Sequence, residues 1–198
     1  MARNSKRARD ARRGTRADSD EGTPRPPASQ APEPSRGLDR LFLVLEVLLC
    51  IVPFVATGIV MSGASAAGQD LSEYLRDDGV VLVEFIAAMA QVLVAWVLRI
   101  VHDHHACGDG GYALANAIGL VCGELLLQNL VGAIGCGLVL WRLWRHDAAA
   151  LAPWARARGV GGVLADVSGA IVLVCLGGIC TFALARLSAQ GLIPAGLL

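Results

Sequence analysis

The chain has 198 residues, is 55% hydrophobic and balances 17 Lys/Arg against 17 Asp/Glu, with a mean hydropathy of +0.55. That is too apolar for an ordinary soluble domain of this length. The zero net charge hides a lopsided distribution, because ten of the 17 Lys/Arg fall between Arg3 and Arg40.

Residues 1–40 combine that charge with Pro, Ser, Asp and Glu (TPRPPASQAPEPSRG) and have no apolar periodicity with which to build a core. They are predicted to be a disordered basic cytoplasmic tail. The first sixteen residues suit contact with anionic lipid, and nothing in them specifies a nucleic acid.

From residue 41 to 198 the sequence predicts an all-α integral membrane protein, a four-transmembrane-helix bundle. Four apolar runs cover about 41–62, 79–100, 112–141 and 159–187. Each reaches the roughly 20 residues that cross about 30 Å of hydrocarbon as a helix. The GASAAG that follows the first run resembles a signal-peptide cleavage site. That run is too long for an ordinary signal core and carries Glu46, so it is read as an uncleaved span.

Orientation follows from the basic flanks. With the N-terminus inside, a four-span chain puts twelve Lys/Arg in the cytoplasm and five outside. The expected location is a cell membrane with a cytoplasmic N-terminus. The third connection, WRLWRHDAAALAPWARARG, fits poorly, since its Arg142, Arg145, Arg156 and Arg158 fall outside. Its three tryptophans suit a helix in the membrane interface.

Each run contains one carboxylate: Glu46, Glu84, Glu124 and Asp166. A carboxylate at mid-membrane costs about 2.5–3.5 kcal/mol, so depth decides how much each one means. Glu124 lies roughly 18 Å into its run and the others roughly 8–10 Å. With Gln91 and Gln128 they form a ladder of depths able to pass a proton or small cation. Pro53 can free a backbone carbonyl toward it. The competing role for such groups is interhelical hydrogen bonding.

Small residues repeat every four positions at Ala115, Gly119 and Gly123, and again at Gly161, Ala165 and Gly169. This predicts a seam between the third and fourth runs, or a homo-oligomer contact. Five of the six cysteines lie within the runs, where a thiol acts as a small apolar group. Between runs two and three, VHDHHACGDGG offers His102, His104, His105 and Cys107 as weak metal ligands. Helix-end histidines followed by glycine equally make a plain polar turn.

No nucleophile–base pair, phosphate loop or cofactor motif is visible, so neither an enzyme nor a bound cofactor is expected. The sequence leads first to a scaffold or regulatory component that engages the bilayer and a membrane-protein partner. Proton- or cation-coupled transport through the intramembrane carboxylates is the alternative.

Overall fold

A computed structural model describes residues 36–190, and all regular structure among them is helical. Six helices follow in order: α1 (Arg36–Ala67), α2 (Leu71–Asp77), α3 (Gly79–Ala106), α4 (Gly110–Leu126), α5 (Leu130–Asp166) and α6 (Ser168–Ala189). The helix α1 starts inside the segment expected to be tail, so Arg36 and Arg40 belong to it. The remainder of that basic tail, through residue 35, lies outside the described residues.

Polar residues beside the apolar runs set the helix ends. Asp78 accepts from the backbone N–H groups of Val80 and Val81 at 3.0 and 3.2 Å, starting α3. Asp109 accepts from Tyr112 at the start of α4, and Asn129 accepts from Gly132 at the start of α5. These bonds satisfy N–H groups that a first helical turn leaves unpaired. Pro53 sits inside α1, which continues through it.

The third run is not one helix, and here the structure corrects the sequence reading. Residues 112–141 divide at Leu127–Asn129, where Gln128 adopts a left-handed φ of 57°. There α4 and α5 meet as an antiparallel hairpin. The fourth run is also divided. Gly159 (φ 66°) kinks α5, residues 160–166 complete that helix, and α6 begins only at Ser168. Among the described residues, three helices are long and apolar enough to cross a membrane: α1, α3 and α6. The 17-residue α4 falls short of that length.

Side-chain neighbours fix the levels. Asp39 of α1 meets His102 of α3, so these two helices run antiparallel. Along α6, Gly169 faces Val97 while Gly79 faces Leu187, so α6 is antiparallel to α3 as well. The same helix runs beside α4, with Ala170 against Gly119 and Leu126 against Gly177, and then continues past the hairpin. At the tip, Glu124 lies against Gln91, the thirteenth residue of α3. Glu124 therefore stands about 18 Å from the level at which α3 starts, and the turn at Leu127–Asn129 lies about one helical turn closer to it.

At the other end, Asp147 packs on Gly110, Trp154 on Gly111, and Arg158 lies 3.9 Å from Asp109. Eleven residues of helix would advance about 16 Å, yet these positions stay level with the start of α4. This part of α5 crosses the end of the bundle.

The core joins Phe42 and Leu49 of α1, Leu98 of α3, Leu114 and Leu120 of α4, Leu143 of α5 and Leu173 of α6, all fully buried. Phe54, Trp96, Leu130, Ile179 and Phe182 point outward and are more than half exposed. An apolar exterior around a core holding Gln91, Asn116 and Glu124 is the arrangement hydrocarbon favours.

The expected seam is half right. Gly119 and Gly123 do pack on the last helix, but against Ala170 and Leu173. Gly161 faces open space and Gly169 meets α3, because the second stripe straddles the break at Val167.

Candidate functional site

Glu124 and Gln91 meet where the hairpin tip reaches α3. Both side chains are completely or almost completely buried, at 0% and 1% exposure. The Gln91 amide donates from Nε2 to Glu124 Oε2 at 3.3 Å. Above that oxygen lies Gly132, in the first turn of α5. A Cβ there would collide with Glu124 Oε2 and come within 2.6 Å of Asn129 Nδ2. Only glycine leaves room for the carboxyl group between α4 and α5. Glu124 Oε1 and Gln91 Oε1 have no hydrogen-bond partner among the described residues.

A pocket of about 290 Å³ lies beyond the tip, in the part of the bundle that the hairpin does not fill. Gln91, Glu84, Gln128 and Asn129 supply its polar wall, and Val52, Val83, Leu127 and Leu184 are among its apolar residues. Among the described residues, no Lys, Arg or His lines it. Its charge is therefore negative or zero, and its hydrogen-bonding capacity leans toward acceptors.

Polar groups elsewhere hold the hairpin where it is. A helix that ends inside apolar surroundings leaves its last carbonyls unpaired. Thr181 of α6 donates its hydroxyl to the Leu126 carbonyl at the end of α4. The small Gly177, one turn earlier, lets α6 approach closely enough, since a Cβ there would lie 2.7 Å from Leu126 Cβ. Buried Asn116 donates to the Asp166 carbonyl at the end of α5 and to Tyr112 O, both at 3.2 Å.

Of the six intramembrane candidates, the structure gathers four. Glu124 pairs with Gln91, while Glu84 and Gln128 line the same pocket. The other two lie elsewhere, so no continuous ladder forms. Glu46 is 3.7 Å from Arg99, and Asp166 is 3.3 Å from Arg158 near the end that carries the His-rich turn. Asn129, Asn116 and Thr181 escaped the sequence reading. The signal for Asn129 was present as a Gln–Asn pair in the middle of an overlong apolar run.

The histidines of the turn diverge. His102 faces Asp39 of α1 at 3.2 Å and stacks on Phe42. His104 faces Asp109 at 3.5 Å and stacks on Tyr112. His105 faces Asp147 of α5 at 3.3 Å. Cys107 is exposed. Among the described residues, no three His, Cys, Asp or Glu side chains converge on one point where a metal could be held. The three pairs instead join the end of α3 to three different segments.

No family model matches this chain, and no curated protein or solved structure is similar to it.

Proposed function

We propose that this protein is a small membrane transport component that exchanges a cation for protons at the Glu124–Gln91 centre. One observation carries the reading. Among the described residues, two buried oxygens, Glu124 Oε1 and Gln91 Oε1, lack partners beside a pocket that no basic side chain lines. An unpaired buried acceptor costs about 1–3 kcal/mol. A cation or a proton removes that cost, and one carboxyl group holds one of them at a time. A scaffold or regulatory component has no evident use for such a centre, so transport comes first.

We also infer a membrane arrangement that differs from four spans: α1, α3 and α6 cross, while α4 and α5 enter and leave on one side. The start of α1, the His-rich turn and the Arg-rich part of α5 then share a side. Fifteen of the 17 Lys/Arg belong there, leaving only Arg76 and Arg186 opposite. That bias favours a cell-membrane protein with this side in the cytoplasm, facing anionic lipid. It removes the misfit of the four arginines after Trp141, and it puts the pocket on the exterior side of the tip.

The test uses the full chain in liposomes loaded with a pH-sensitive dye and made acidic inside. Na+, K+ or guanidinium, which do not cross lipid as free bases, is then added outside. At least one should discharge the gradient through wild-type protein, and Glu124→Gln should fall to the protein-free leak. Wild-type liposomes that hold their gradient against all three, from protein that also binds no cation, would refute the reading.

A further inference from the structure

The pocket is large for a bare ion. At about 30 Å³ per water, its 290 Å³ has room for more than an alkali cation and a few waters. A hard metal ion is held by six or more oxygens at fixed short distances. Here the lining combines four polar side chains, Gln91, Glu84, Gln128 and Asn129, with apolar ones that include Val52, Val83, Leu127 and Leu184. A mixed lining of this kind suits a ligand that carries both a charged group and hydrocarbon.

The polar end is also specified. Gln91 is buried, lines the pocket and leaves Oε1 unpartnered. Glu124, directly behind it, leaves its own Oε1 unpartnered. Both accept hydrogen bonds from N–H groups, which a primary ammonium has and a quaternary one lacks. Glu84 adds an exposed carboxylate to the wall and no basic group among the described residues lines it, so the field favours positive charge.

We propose that the pocket binds a small primary organic ammonium ion. Its NH3+ group donates to Gln91 Oε1, the Glu124 carboxylate supplies negative charge from behind the same Gln91 amide, and its carbon chain lies along Val52, Val83 and Leu184. This deepens the transport reading by naming the class of cargo and rests on it. The cation and a proton compete for Glu124, so apparent affinity rises with pH.

Calorimetric titration of the full chain in lipid nanodiscs tests this with butylammonium, tetramethylammonium, sodium and neutral butanol. Butylammonium should bind with one-to-one stoichiometry, and tetramethylammonium at least tenfold more weakly. Glu124→Gln should lose at least tenfold in affinity for butylammonium. Glu84→Gln, at an exposed side chain with little bearing on folding, should lose severalfold and keeps the proposal testable if Glu124→Gln does not fold. Butanol binding as tightly as butylammonium would reduce the pocket to an apolar cleft and overturn the proposal. Tetramethylammonium binding equally well would overturn the N–H requirement. Sodium binding, or sodium-driven proton flux without butylammonium binding, would overturn the cargo class and leave the transport reading standing. Failure of every cation both to bind and to drive flux would remove both.

Discussion

Thr181→Val isolates the bond that lets α4 end inside the bundle. Valine keeps the β-branched shape of threonine and its rotamer preference, so packing against Leu126 changes little. The substitution removes the hydroxyl that donates to the Leu126 carbonyl, for which no other partner occurs among the described residues. Hydrogen bonds between membrane helices are worth about 0.6 kcal/mol on average and up to about 1.7. A buried carbonyl left unpaired costs about 1–3 kcal/mol. The Thr181–Leu126 bond is half-buried, so the expected loss is about 1 kcal/mol, roughly fivefold in the folding equilibrium. Titration with a denaturing detergent, followed by circular dichroism, measures it. Thr181→Ser, which restores the donor, should recover most of the loss. The reasoning is refuted if the valine variant matches wild type, or if serine is as damaging as valine.

Two further outcomes test the packing and the arrangement in the membrane. A Cβ at Gly119 would lie 2.5 Å from Ala170 Cβ, whereas one at Gly161 meets nothing within 4 Å. Gly119→Leu should therefore cost about 1–3 kcal/mol by overpacking in the same unfolding titration, and Gly161→Leu should stay within about 0.5 kcal/mol of wild type. For topology, Arg145→Cys and Gln190→Cys in a Cys107→Ser background should respond oppositely to an impermeant thiol reagent added to intact cells. Position 190 should label and position 145 should need permeabilised cells, the reverse of a four-span chain with its N-terminus inside.

The membrane character and the helix starts were legible because composition and local chemistry dictate them. Run length and hydropathy identified α1 and α3, and Asp78 and Asp109 stand immediately before the helices they cap. What the sequence reading missed was the division of the third run into two helices and the break in the fourth at Val167. Apolar residues are compatible with a span, a re-entrant arm or a buried turn, so hydropathy alone does not mark the reversal. Length did carry the information. Thirty residues make about 45 Å of helix, well beyond about 30 Å of hydrocarbon. The groups that make the reversal affordable, Thr181 and Asn116, come from partners about fifty positions away in sequence. No local pattern could have revealed those pairings.

The same break explains why one acid of the four stands apart. Glu46 and Asp166 lie beside Arg99 and Arg158, so their charges are answered within the protein. Glu84 is exposed at the pocket wall. Glu124 is fully buried at the tip, between Gln91 and the bare backbone of Gly132. Had residues 112–141 continued as one helix, residues 130–132 would have run on to the level of Val83 and Glu84, toward the space that is now the pocket. Ending α4 at Leu126 both opens that space and turns Asn129 back toward the carboxyl group of Glu124. The cavity and the acid beside it are thus two consequences of a single chain reversal. This ties the stability of the hairpin, read through Thr181, to the chemistry of the site: a variant that loosens the α4 terminus should disturb cation binding as well as folding.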